Sequence, residues 1–183
     1  MTNLLGVVRA LANHTETQGK TAEEYKSAFL GRFEALMKSH SFMTAEGGQI
    51  ELKDLVMDIV GGLGGDRLQL AGGPTVLVTA AQIAPLTMIL HELGTNALKY
   101  GAFSGEGGVA QISWRIVPEA LEKSVELTLR ERCSSPVSPP VRSGSGTAVI
   151  QNSASLGLHG GAELKFESEG LDATVVFPLK EGP

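Results

Sequence analysis

The 183-residue chain has only one cysteine, Cys133, so it can form no internal disulfide and offers no cysteine-based zinc site. No apolar run approaches the roughly 18 residues that a bilayer-spanning helix needs. The first residues lack the basic stretch, apolar core and cleavage site of a secretory signal. Positive charge is in deficit: 15 Lys+Arg against 20 Asp+Glu give a formal net charge of -5, and nucleic acid is not an expected partner. The 23 glycines follow no three-residue period, which excludes a collagen-like chain. What is present, 42% hydrophobic and 19% charged residues, excludes a disordered tail. The length suits one well-filled domain, or one domain with a helical appendage. A soluble, cytoplasmic domain with no membrane segment is expected.

Residues 1–46 read as a helical hairpin. Leu4, Leu5, Val8, Leu11 and Ala12 form one apolar stripe, and polar residues 15–19 break it. Thr21 is a plausible N-cap, with Glu23 and Glu24 in the first turn of a second helix. Ala22, Tyr25, Phe29, Phe33, Leu36, His40 and Met43 then recur at steps of three and four. Such a seam predicts pairing with another hairpin as a four-helix bundle, or packing on the rest of the chain. Gly47-Gly48 marks a boundary, and residues 47–183 form the second unit. In it, residues 52–59 predict a short helix ended by Gly61-Gly62, followed by strands at 67–70 and 76–78 and a long helix at about 80–101. Strand-like runs follow at 110–117, 125–131, 164–167 and 173–177, with Glu169 to Asp172 turning the last hairpin. Ile112/Trp114/Ile116 and Val125/Leu127/Leu129 alternate with polar residues, as half-buried antiparallel strands do. The segment 133–146, with three prolines, five serines and two glycines, reads as a mobile surface loop. The fold class is α+β.

Candidate chemistry centres on His91-Glu92-Leu93-Gly94-Thr95-Asn96-Ala97-Leu98-Lys99-Tyr100-Gly101. On a helix, Ile83, Leu86, Leu90, Leu93 and Ala97 share a sheet-facing side, while Glu92, Asn96 and Lys99 at i, i+4 and i+7 share another. A carboxylate, an amide oxygen and an ammonium over two turns can hold a hydrated magnesium ion and a polyphosphate together. The same spacing also occurs on plain solvated helix faces. Pro85 removes one hydrogen bond near the helix start. His14 reads as a surface residue, His40 as a satisfied bundle histidine, His159 as a loop residue, Cys133 as an inert thiol and Trp114 as core.

The fourteen residues from His91 to Ser104 resemble the asparagine box of HWE-type sensor histidine kinases at every fixed position. In that family the ATP-binding domain has the Bergerat fold, an α/β sandwich with a mixed, mainly antiparallel sheet. Asn3 to Val8 resemble the end of the family's first-helix motif, and Phe33 to His40 its second helix. The resemblance implies that Asn96 coordinates the magnesium bridging the ATP phosphates and that Glu92 positions or polarises the attacking group. It further implies that His91 and Lys99 contact phosphate, that Glu131 accepts a hydrogen bond from the adenine amino group, and that Gly144 and Gly146 let the lid backbone approach the phosphates. The implied activity is protein-histidine kinase: transfer of the γ-phosphoryl group to a histidine and on to a response-regulator receiver domain. A homodimer through the hairpin is implied as well.

Three departures from the family pattern bear on this. Leu129 stands where its tryptophan is expected, and Cys133 and Ser134 replace a glycine pair, which should narrow the nucleotide pocket. Ser145 replaces the aromatic lid residue, which should loosen the lid. The family's acceptor histidine lies four residues before the asparagine matching Asn3, a position ahead of Met1. The expected explanation is that the start of the hairpin motif has been cut off; the alternative is a degenerate kinase-like module that binds a receiver domain without using ATP.

Overall fold

In a computed structural model, residues 12, 21–44, 48–118, 122–136 and 145–180 are described. The expected first hairpin helix, His14, the tip of the 133–146 loop and Gly144 lie outside them. Helix α1 (Ala22–Thr44) opens as its sequence predicts. Glu24 N–H bonds the Thr21 hydroxyl at 3.2 Å, and the Glu24 carboxylate accepts back from Thr21 N–H at 2.7 Å, a reciprocal cap that satisfies two exposed donors.

Strand β1 (Gln49–Glu51) leads into α2 (Leu52–Val56). The expected stop at Gly61-Gly62 is not where this helix ends. A π turn over Met57–Gly61 and a helical turn over Gly62–Gly64 carry it on, because Gly61 and Gly62 both adopt ordinary right-handed helical angles. The true break is Gly65, at φ 54° and ψ −134°. β2 (Leu68–Gly72) and β3 (Leu77–Thr79) follow, and β3 pairs antiparallel with β1 in a small separate sheet. The sequence reading had no counterpart for β1.

Helix α3 (Ala80–Lys99) is the spine. Gln82 Oε1 accepts from both the N–H and the hydroxyl of Thr79, closing its N-terminus. Pro85 is accommodated inside the helix, packed against Gly157, where a Cβ would lie 2.7 Å from Pro85 Cβ. Strands β4 (Val109–Pro118), β5 (Lys123–Arg132), β6 (Gly161–Glu167) and β7 (Gly170–Pro178) complete a five-stranded sheet in the order β2-β4-β5-β7-β6. Only the β2–β4 pairing is parallel, as the expected mixed, mainly antiparallel sheet requires. The β6–β7 turn is Ser168-Glu169, with Glu167 opposite Gly170, so Gly170 to Asp172 belong to the strand and not to the turn. Helix α4 (Ser145–Asn152) begins three residues before the expected Ala148 and continues as a π turn over Ser153–Gly157.

One face of the sheet carries Ile112, Trp114, Val125, Leu127, Leu129, Ala173, Val175 and Phe177, all buried beneath α3. Ile83, Leu86, Leu90 and Leu93 of α3 meet them, as the predicted apolar face demands. Trp114 is core, its indole N–H donating to Pro74 O at 2.8 Å.

Helix α1 packs across α3 on a face that, among the described side chains, buries only Leu36 of the expected stripe. Arg32, Ala35, Leu36 and Ser39 are buried, whereas Tyr25, Phe29 and Phe33 are only half-buried and His40 is exposed. The three aromatic rings stack on one another along the helix, with centroids 6.3 Å apart. Gly31, Ala35 and Ser39 on that side let the two helices approach closely around Leu36 and Arg32. A search for large apolar side chains picks out the neighbouring stripe instead. Lys38, bonded to Asp58 through both its carboxylate and its carbonyl, ties α1 to the π turn.

Candidate functional site

The second half of the fourteen-residue box closes the end of α3. Gly101 N–H reaches Asn96 O and Ala97 O, Phe103 N–H reaches Ala97 O at 2.9 Å, and the Ser104 hydroxyl donates to Gly101 O at 2.7 Å. These bonds fold residues 101–104 back over β5. Arg67 fastens the same segment, with its guanidinium bonded to the carbonyls of Phe103 and Gly105 and lying 5.4 Å from the centre of the Phe103 ring.

Beneath that segment sits Glu131. It occupies the fourth place in the β5 file Val125, Leu127, Leu129, Glu131, so strand periodicity drives its carboxylate into the apolar layer. Oε2 accepts from Ala102 N–H at 3.2 Å, while Oε1 is buried with no hydrogen-bond partner among the described residues. Burial pushes the Glu131 carboxyl above its ordinary value, against the Ala102 N–H and a smaller pull from the nearby Leu171 N–H, which makes no hydrogen bond of normal geometry to it. Gly101 is a spatial necessity here, since a Cβ would lie 2.0 Å from Glu131 Oε2. Cys133 follows, its thiol raised by partial burial and by Glu131, consistent with an unreactive side chain.

The first half of the box faces α1 and α4. Glu92 is not on a solvated face, as the spacing alone allowed, but buried. Arg32 grips it with Nε to Oε1 at 2.6 Å and Nη2 to Oε2 at 3.0 Å, the two-pronged geometry of a guanidinium on a carboxylate. The two side chains are 4% and 6% exposed. Arg32 Nη2 also reaches the Ser145 hydroxyl at 3.3 Å, joining α1 to the first residue of α4. Gly146 packs directly on the acid: a Cβ there would lie 2.6 Å from Glu92 Oε2 and 3.7 Å from both terminal atoms of the Asn96 amide. His91 lies under Gly31 of α1. Burial, followed by the opposing effects of Glu92 and the cations Arg32 and Lys99, leaves it below the ordinary imidazole value.

The structure therefore brings His91, Glu92, Asn96 and Gly146 together, sets Lys99 one turn further on in solvent, and places Glu131 under the far end of the box. Glu92 and Lys99 are about 10 Å apart along the helix axis. Arg32 was missed by sequence reasoning. Its position three and four residues before Ala35 and Leu36 puts it on their face, but nothing in the local pattern names Glu92, sixty residues away, as its partner.

Residues 1–74 match the family model described as HWE histidine kinase. Over that stretch the chain is similar to the HWE histidine kinases. Over 181 residues the chain is 28% identical to the blue-light-activated histidine kinase of Brucella ovis, covering 97% of this chain and 37% of that protein. It is 26% identical over the same length to the Brucella anthropi counterpart. The chain thus spans well under half the length of the curated relatives it matches. Among solved structures, the histidine kinase domain of the Erythrobacter litoralis blue-light activated histidine kinase superposes with a TM-score of 0.63 at 15% identity, over 96% of this chain and 84% of that one. The ATP binding domain of PrrB from Mycobacterium tuberculosis gives 0.51 at 18% identity over 73% of this chain and 97% of its own. These likenesses place the fold among histidine kinase catalytic domains. No helix among the described residues is long and apolar enough to cross a membrane.

Proposed function

We propose that this chain is the ATP-binding, phosphotransfer core of a two-component sensor kinase, passing the γ-phosphoryl group of ATP to a histidine and from there to a response-regulator receiver domain. The observation that carries the reading is Glu131 Oε1, a buried acceptor that makes no hydrogen bond of normal geometry among the described residues. Buried polar atoms in folded proteins are nearly always paired, and the exocyclic amino group of adenine is a donor of the right chemistry. With the base there, the phosphates would extend along α3 toward Asn96, over a length that the helix from residue 92 to 101 matches.

The donor set fits magnesium, which takes oxygen ligands, keeps much of its water and needs few protein groups when phosphates supply the rest. When bound, the ion would supply positive charge that offsets the charge of the phosphates. Asn96 would offer its amide oxygen. Lys99, in solvent one turn on, would meet phosphate charge, and His91, held below its ordinary value, would contribute a neutral imidazole at pH 7. Glu92 would orient the attacking imidazole. Gly146, and Gly144 outside the described residues, would let backbone N–H groups close on the phosphates. The hairpin would pair with a second copy and present the receiver-docking surface.

Titration calorimetry with Mg-ATP tests the reading. Binding should require magnesium and weaken at least about tenfold in Asn96→Ala, the loss of one charge-assisted contact. Absence of heat with both proteins rejects it. A second reading, a receiver-binding module that does not use ATP, is favoured by the engagement of both Glu92 oxygens with Arg32 and by the side chains at Leu129, Cys133 and Ser134. Receiver capture unaffected by ATP and by Asn96→Ala would support that alternative.

A further inference from the structure

Arg32 is the buried charged group that the proposed chemistry leaves without a task. Its place is informative: one guanidinium touches the acid of the box helix and the first residue of the lid helix, from a third element, the hairpin. Both carboxylate oxygens of Glu92 accept from it, and neither side chain is open to solvent. The next residue back, Gly31, lies against His91, where a Cβ would approach Nε2 to 3.3 Å. Helix α1 therefore covers two of the box residues at once. Gly146 closes on Glu92 from the lid side. While the pair is intact, no imidazole or metal-bound water can reach a Glu92 oxygen.

We infer that Arg32 is a latch that holds the hairpin helix on the catalytic face, and that release of Arg32 from Glu92 is the step that exposes the box to Mg-nucleotide. The inference rests on the ATP reading above and adds a regulation to that site. It uses the chemistry of a planar fork on a carboxylate, which is strong when formed and directional enough to fix α1 in one register. Docked α1 and bound Mg-nucleotide exclude each other at His91 and Glu92. Apparent nucleotide affinity is then the intrinsic affinity scaled by the undocked fraction. A signal arriving through the hairpin could act by changing that fraction alone.

The test uses the full 183-residue chain, the probe Mg-AMPPNP, calorimetry for affinity, and hydrogen exchange of residues 22–44 for docking. Arg32→Met keeps the aliphatic stem and removes the fork. It should speed exchange across α1 without nucleotide and tighten Mg-AMPPNP binding by about tenfold, as expected if the docked state predominates. Arg32→Lys should fall between Met and wild type, because an ammonium cannot make the two-pronged bond. Adding Mg-AMPPNP to wild type should itself speed α1 exchange. Should Arg32→Met not fold, Glu92→Gln reads the same latch from the other side, through faster α1 exchange in the absence of nucleotide. Unchanged α1 exchange in these variants overturns the latch whatever nucleotide does. Released α1 with unchanged or weaker nucleotide affinity overturns the exclusion and makes Arg32 a ligand or a bystander. Released α1 in a protein that binds no nucleotide in any form overturns the ATP reading and, with it, the competition.

Discussion

At the scale of single residues, two buried groups carry opposite pH signatures. Glu131 has a folded value raised by burial. Its contribution to stability is therefore fully present below the unfolded value and lost as pH rises through the folded one. Glu131→Gln should remove that decline and leave the urea midpoint at pH 7.5 unchanged or higher. It should also weaken nucleotide binding by about tenfold or more, because an amide N–H₂ in place of Oε1 faces the adenine donor with another donor. His91 behaves the other way. Its folded value is depressed, so its contribution is present above the ordinary value of 6.5 and lost as pH falls through the folded value. Protonation there places a cation against Arg32 and Lys99. Midpoints measured from pH 7.5 down to 5 should fall in wild type and fall less in His91→Gln.

Elements matter where one must approach another closely. The turn after α3 works only because Gly101 has no side chain above Glu131. Gly101→Ala should cost about 1–3 kcal/mol in chemical denaturation, the usual penalty of overpacking, and should weaken nucleotide binding more than Gly105→Ala, where a Cβ meets nothing within 4 Å. Arg67 reaches the same segment from outside the helix, through the Phe103 and Gly105 carbonyls and the Phe103 ring. Arg67→Met should loosen residues 101–105. Hydrogen exchange of that segment should rise, at a stability cost of about 1.5–3 kcal/mol for charge-assisted bonds lost.

For the molecule as a whole, the apolar layer between α3 and the sheet supplies most of the stability, and α1 is attached at its edge through Ala35, Leu36 and Phe42 and through the Arg32 and Lys38 ion pairs. Phe177→Ala, at the centre of that layer, should cost about 3–5 kcal/mol by cavity formation. Removing residues 1–46 should be far milder. The remaining 47–183 should still unfold in one cooperative transition, with Glu92 newly open to solvent. Loss of cooperativity on calorimetric unfolding would place the boundary elsewhere.

The amphipathic repeat of α3 and the alternation in β4 and β5 were sufficient to predict an α+β fold, because each is a local pattern with a local physical cause. Local rules failed at Gly61-Gly62, where both glycines took ordinary helical angles and the break came at Gly65, and at the last hairpin, where the register put Gly170 in a strand. They failed most consequentially on α1. Periodicity favours the bulky stripe of Tyr25, Phe29 and Phe33, whereas the packed face is the narrow one of Ala35, Ser39 and Arg32. Spacing could group Glu92 with Asn96 and Lys99, but whether that carboxylate met water or a guanidinium depended on how a distant helix came to rest. Only long-range packing could decide it, since the two partners lie sixty positions apart and share no local motif.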